Sequence, residues 1–245
     1  MVGKMDVPRQ RLADEAGKQS PEWLDIPIQV ESVVKGGSLS SATVRFYPHD
    51  AGYKPSNDAV LRLAGKPAIL FLTRVDDGPV GVYFAGYTPD ALKPATDLTV
   101  TAARAEASRQ AQIVASWHAD TTLAGYAEVR TLITHLGRVS GNQQQQVFDR
   151  LVELGEAVVP AIIAQMDDRR ALRTREIALV NHASDAFERT RHYGPEQVVD
   201  GLDAVLNQIT GQFGSIVNGG SDRQRTATVA GWRVFAADLA CKEGK

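Results

Sequence analysis

The feature that most constrains this chain is a change of hydrophobic period near residue 99. Before that point apolar residues recur at every second position, and after it they recur at spacings of three and four. A period of two belongs to a strand with one buried face, and the longer spacing belongs to a helix with an apolar stripe. The two halves therefore form different kinds of structure. The 245 residues are enough for two domains of ordinary size. A hydrophobic content of 43% with 23% charged residues supplies a core for each.

In the first half, Ile26, Ile28 and Val30 alternate with polar neighbours, Lys35-Gly36-Gly37-Ser38 supplies a turn, and Thr43 to Tyr47 is rich in β-branched and aromatic residues. This pattern predicts a hairpin. Pro48 to Asn57 reads as a loop. The continuous apolar run Pro67 to Thr73 predicts a strand buried on both faces. Asp76-Asp77-Gly78 then turns the chain into a further strand over 80–87. Four or five strands in so short a stretch have the rhythm of a small barrel or sandwich.

In the second half, residues 101–118 are rich in Ala, Arg, Glu and Gln and predict a connecting or docking helix. Leu123, Tyr126, Val129, Ile133 and Leu136 mark the next helix, closed by Gly137. Val147, Leu151 and Leu154 mark a third. Gly155 stops it, and Pro160 falls in the first turn of a fourth, where its missing N–H costs little. Further helices are expected over 175–191, after Gly194-Pro195 with Val198, Leu202, Val205, Leu206 and Ile209 inward, and after Ser221 or Asp222 with Val229, Trp232, Phe235 and Leu239 inward. None reads as apolar all round, so each needs neighbours to cover its stripe.

Composition removes several function classes. The formal net charge is -2, and each half lies within roughly two charges of neutral. No field favours a phosphate backbone or an acidic membrane. The single cysteine, Cys241, permits neither an intrachain disulfide nor a cysteine zinc cage. No apolar run approaches the roughly 18 residues that a membrane-spanning helix needs. Residues 1–21 read as a polar lead-in without the apolar segment of a signal peptide.

The run from Leu151 through Gly155 and Pro160 to Ile163 resembles a HEAT-type repeat, whose first helix ends at Leu-Gly and whose second opens on Ala-Val-Pro-Ala-Leu-Ile-like residues. Residues 206–214, with Arg225 and Gly231-Trp232-Arg233, are similar to a terminal unit that follows HEAT-like arrays in bacterial proteins. No strict period crosses the whole second half, so an irregular array is expected. Val30 to Gly36 and Ala68 to Leu72 resemble the OB-type barrel of netrin-like and metalloproteinase-inhibitor-like modules. In the animal inhibitors a free N-terminal cysteine chelates the protease zinc. This chain has no cysteine there, so that activity is not carried over. Bacterial modules of this kind are usually exported, and the resemblance implies an extracytoplasmic location if a signal has been removed.

The candidate chemistry is sparse. Gly65-Lys66 lacks the earlier glycine of a phosphate loop, and Gly211-Gln212-Phe213-Gly214 lacks the strand before it. Gly219-Gly220 before a capped helix has the form of an anion site, with a plain turn as the alternative. No Gly-x-Ser-x-Gly elbow is present. Of His49, His118, His135, His182 and His192, the best metal grouping is His182, Asp185, Glu188 and His192. It lies too far along one helix to converge, so a solvated face is the simpler reading. Asp76-Asp77 and Asp167-Asp168 read as turn and helix-exit residues. Phe46, Tyr47, Tyr53, Phe71, Tyr83, Phe84 and Tyr87 offer stacking platforms without the basic excess that nucleic acid requires. Arg169, Arg170, Arg173 and Arg175 read as a solvated basic face.

The expected fold class is α+β: a small antiparallel β-barrel of OB/netrin-like type followed by an all-α HEAT-like domain. The expected divisions are a lead-in at 1–21, the β-domain at 22–98, the connecting helix at 99–118 and the helical domain at 119–245. No catalytic, cofactor-binding or metal residue is assigned. The functional expectation is a non-catalytic interaction or scaffold protein with a protein partner, since helix pairs of this kind build extended binding surfaces. The alternatives are a hydrolase with its site between the domains, or ligand or nucleic-acid binding by the barrel.

Overall fold

The computed structural model describes residues 1–5, 24–46, 60, 62–74, 82–85, 89–181, 189–212 and 215–243. The chain divides into two compact units, Met1–Arg109 and Gln110–Lys245. The lead-in beyond residue 5, the loop at 48–57, the turn at 76–78 and Tyr47, Tyr53 and Tyr87 lie outside the described residues.

Seven strands form one sheet in the first unit: β1 (Val2–Met5), β2 (Leu24–Ser32), β3 (Ser41–Phe46), β4 (Pro67–Leu70), β5 (Leu72–Arg74), β6 (Val82–Ala85) and β7 (Leu92–Pro94). Their order is β5-β6-β3-β2-β1-β4-β7. β4 and β5 stand sixth and first in that order, yet Phe71 alone separates them in sequence. Two residues of extended chain span about 7 Å. The sheet therefore curls strongly to bring the end of β4 near the start of β5, and Phe71, 48% exposed, sits at the bend.

The expected hairpin is present. β2 pairs antiparallel with β3, setting Ile26 against Val44 and Ile28 against Ala42 on the core face. On the opposite face Asp25 opposes Arg45, whose Nε and Nη2 donate to the two carboxylate oxygens at 2.7 Å each. Ala68 and Leu70 of β4 join this core with Met5, Phe46 and Leu92. Ile69 turns the other way, opposite Val2, and is also buried.

Two expectations for this half are corrected. Val2–Met5, assigned to the lead-in, is a strand between β2 and β4. Four residues with one alternation carry too little pattern to be read without their partners. The sheet is also not wholly antiparallel, because β3 and β6 run parallel. The crossover that returns the chain through β4 and β5 makes that pairing necessary.

Helix α1 (Asp97–Ala115) crosses the boundary between the units, and none of its residues is fully buried. The second unit contains α2 (Tyr126–His135), α3 (Gly141–Glu153), a 3-10 turn (Glu156–Val158) leading into α4 (Val159–Ile163), α5 (Val198–Thr210) and α6 (Asp222–Glu243). Gly155 separates α3 from the 3-10 turn at φ 69°, a left-handed conformation that glycine adopts without penalty.

The second unit is not all-α. Residues 175–191, expected as a helix, contain β8 (Ile177–Val180), which pairs antiparallel with β9 (Thr190–Tyr193). Ile177 and Leu179 are buried while Ala178 and Val180 are not, a strand period that the flanking arginines obscured. Nor is every helix striped. From Val198 to Asn207 every residue of α5 is buried, which makes α5 the central helix of the unit. Gly201 allows this packing, since a Cβ there would stand 2.5 Å from the ring of Phe148.

The glutamine tract 143–146, to which the sequence assigned no role, joins α3 to the hairpin. Gln143 closes the capping box with Ser140. The Gln144 amide donates to Thr174 O at 2.7 Å and accepts from Arg173 N at 3.1 Å. The Gln145 amide donates to Ala178 O at 2.7 Å and accepts from Ala178 N at 3.0 Å. Each amide presents the donor and acceptor of a peptide group, so Gln145 completes the outer edge of β8 as a neighbouring strand would. Gln144 is fully buried and Gln146 is exposed. Gln144→Ala is expected to cost about 1–3 kcal/mol, the usual penalty for stranding buried backbone groups. Gln145→Ala is expected to cost less, and Gln146→Ala to stay within about 0.5 kcal/mol. Urea unfolding of the three variants checks this order.

Candidate functional site

The densest polar constellation among the described residues lies inside the second unit, where α5 meets α6. Three polar residues of α5, Asp200, Asp203 and Asn207, follow one another at spacings of three and four and form a stripe on an otherwise apolar helix. Asp200 and Asp203 are both 0% exposed. Opposite them α6 buries Arg225, Val229, Trp232 and Ala236, again at spacings of three and four.

Asp200 sits in the first turn of α5. Its Oδ2 accepts from Gln197 N at 2.9 Å and Glu196 N at 3.1 Å, so it caps the helix and places a negative charge at the positive end of the dipole. Arg225 donates from Nε to Asp200 Oδ1 at 2.8 Å and from Nη2 to Oδ2 at 2.9 Å, a bidentate pair. Nη2 also reaches Glu196 Oε2 at 3.1 Å. Hydrogen bonding to Asp200 raises the Arg225 pKa further and keeps the guanidinium charged.

Asp203 is held differently. Its Oδ1 accepts from Trp232 Nε1 at 2.7 Å and its Oδ2 from Ile216 N at 3.0 Å. Burial raises its pKa above the usual aspartate range, and these two hydrogen bonds oppose that rise. Asn207 accepts from the Tyr193 hydroxyl at 3.2 Å and donates to Gln212 O. Together the three residues tie α5 to its neighbours: Asp200 to α6, Asp203 to α6 and the chain before it, and Asn207 to β9.

The chemistry of this arrangement is cohesive. Both carboxylates are fully buried, and each oxygen accepts from a named donor inside the unit. The Gly219-Gly220 turn, read as a possible anion site, is also taken. A Cβ at Gly219 would lie 2.8 Å from Glu196 Cγ, so the turn packs against an acid. Gln224 accepts from Ser221 N at 2.7 Å and Ser221 Oγ accepts from Gln224 N at 3.3 Å, which satisfies the start of α6 from within.

The other sequence candidates do not converge. His192 is exposed on β9, not on a helix, while His182, Asp185, Glu188 and His49 lie outside the described residues. His118 and His135 are exposed and far apart in sequence. Among the described residues no three of His, Cys, Asp and Glu are grouped closely enough to hold a metal ion. Asp167 binds Arg233 at 2.6 Å, and Asp168 binds Arg170 at 2.5 Å. Of the aromatic candidates, Phe46 is core, Tyr83 is half-buried and Phe71 is exposed. Cys241 is exposed. No described helix is long and apolar enough to cross a membrane.

The basic run 169–175 is not a uniform solvated face. Arg170 reaches the C-terminal end of α2, donating to Ile133 O at 2.9 Å, Leu136 O at 3.1 Å and Thr134 O at 3.2 Å. A cation there satisfies open carbonyls and complements the helix dipole. Arg175, 74% exposed in its side chain, pairs with Glu196 at 3.2 Å.

No protein-family model matches the chain, and no curated protein and no solved structure matches it.

The buried charges generate two expectations. Arg225→Met strands the Asp200 carboxylate and is expected to cost about 3–5 kcal/mol. Adding Asp200→Asn removes that charge while leaving an oxygen for the helix cap, so the double variant is expected to be more stable than the single one in urea. For Asp203, a folded-state pKa above the unfolded value means that its contribution to stability is fully present below about pH 4 and is lost as pH rises through the folded value. Trp232→Phe removes a bond that favours the charged form. Its cost is expected to be about 1–3 kcal/mol at pH 7 and smaller at pH 4, read by urea unfolding at both.

Proposed function

We propose that this chain is a non-catalytic protein-interaction protein whose second unit carries the binding surface. The observation that supports it most is the hairpin edge. Ala178 turns its backbone groups to Gln145, and Asn181 N donates to Arg189 O at 2.8 Å, which fixes the alternation of the ladder. In an antiparallel pair the residues between bonded pairs face outward. The N–H and C=O groups of Thr190 and His192 therefore point away from β8, on residues that are exposed, and no strand covers them among the described residues. Among the described residues, one edge of the hairpin is sealed by a side chain and the other is uncovered. The full burial of Asp200 and Asp203, each bonded to donors inside the unit, supports the non-catalytic part of the reading.

The fold-level resemblances belong to the same proposal. For an OB-type barrel, the support is a sheet that curls sharply between β4 and β5, a parallel β3–β6 pair, and a helical turn between β3 and β4 in which Ala64 N donates to Val60 O at 3.0 Å. For a HEAT-like pair, the support is the succession of α3, Gly155 and α4 with Pro160 in its first turn. Against an array stands the next element, a β-hairpin. An OB-type barrel also supports ligand or nucleic-acid binding as a second reading, with Phe71 exposed at its bend.

The immobilised full chain is expected to retain a defined protein from an extract of its source organism at near-equal molar amount. Turnover of an ester, phosphoester or peptide substrate by the purified chain, with no protein retained, would replace this reading with the hydrolytic one.

A further inference from the structure

We infer that the open edge of β9 is the docking site for an acidic, extended segment of a partner protein, which adds to the hairpin as a third strand. The inference rests on the interaction reading and specifies its partner. The edge supplies two donors and two acceptors from Thr190 and His192, the main-chain half of strand addition. The choice of occupant comes from charge. Arg191 lies on the edge strand and Arg189 stands one residue before its start, where Asn181 N still donates to Arg189 O; both are exposed, and the alternation of the ladder sets their side chains on one face.

A second copy of this chain is the natural competitor for such an edge, and the same arginines disfavour it. Antiparallel pairing of β9 with itself centred on Arg191 sets Arg191 against Arg191, and like charges directly opposite each other destabilise a ladder. Arginines on an edge therefore act as a guard against self-pairing. A partner strand with carboxylates at alternate positions turns that guard into paired charges beside main-chain hydrogen bonds. Nucleic acid would meet the arginines but would leave the outward N–H and C=O groups of Thr190 and His192 without a matched ladder.

The test is fluorescence anisotropy of the full chain with a labelled peptide of about eight residues, alternating glutamate with valine or threonine. The comparison probes are the same peptide with lysine for glutamate and a labelled oligothymidylate. The acidic peptide is expected to bind, and the other two to bind at least about tenfold more weakly. His192→Pro removes an outward N–H without removing a bond to β8, and edge strands tolerate proline at such a position. It is expected to abolish binding while the far-UV circular dichroism spectrum and Tm stay near those of the parent. Arg189→Glu with Arg191→Glu is expected to invert the peptide preference. Equal binding of acidic and basic peptides, preferential binding of the oligothymidylate, unchanged binding by His192→Pro, or no binding of the acidic peptide would each overturn the inference. If the parent chain and His192→Pro capture the same partner from extract equally well, the edge assignment fails and the interaction reading stands.

Discussion

The second unit depends on the pairing of Arg225 with Asp200. A helix buried on every side has nowhere to place a polar residue, yet α5 carries two acids and an amide. Isolated carboxylates at those positions would be too costly to desolvate. The bidentate guanidinium, the two backbone N–H groups that Asp200 caps, and the indole and amide that hold Asp203 make the central helix possible. They also fix its rotation, because turning α5 would carry the acids away from α6 and into the apolar contacts of Phe148 and Leu172 around Gly201.

A second theme is the use of side chains where the backbone runs out of partners. Gln144 and Gln145 act as peptide groups toward the start of the hairpin, and Arg170 gathers the last carbonyls of α2. Helical and β elements meet in this unit with few shared backbone ladders. Planar amides and guanidinium groups supply the missing donors and acceptors at fixed geometry. This is how a β-hairpin fits between α4 and α5 with its main-chain groups at Ala178 and Thr174 paired to side chains.

The sequence was informative wherever one face of an element decides its pattern. Ile26, Ile28 and Val44 alternate cleanly because the other face of β2 and β3 is open to solvent, and Val229 with Trp232 marked the inner side of α6. It was silent where partners distant in sequence decide. β1 is too short to show a period, and the parallel β3–β6 pair leaves no local trace. Residues 175–191 misled because the arginines and glutamate around Ile177 and Leu179 favour a helix while burial selects a strand. The polar cluster was missed from the sequence, although Asp200, Asp203 and Asn207 at spacings of three and four within an apolar run mark a polar stripe. What the spacing does not show is that Arg225 and Trp232 stand opposite it. The glutamine tract has low complexity by composition, and only the structure separates the roles of its four members.

The bend at Phe71 bears on how the first unit folds. Completing that sheet brings residue 2 beside residue 69 and residue 43 beside residue 82, while the β2–β3 hairpin needs only a short turn. Loop-closure entropy opposes the distant pairings until several can form together. The hairpin is therefore the natural nucleus, and adding the β1–β4 and β3–β6 ladders is a late, concerted event. Such a topology belongs among the slower-folding classes whatever its final stability. Until those pairings form, the edges of β3 and β1 stand unpaired, so the kinetic vulnerability of the first unit lies in the same strands that form the middle of its curled sheet when folding is complete.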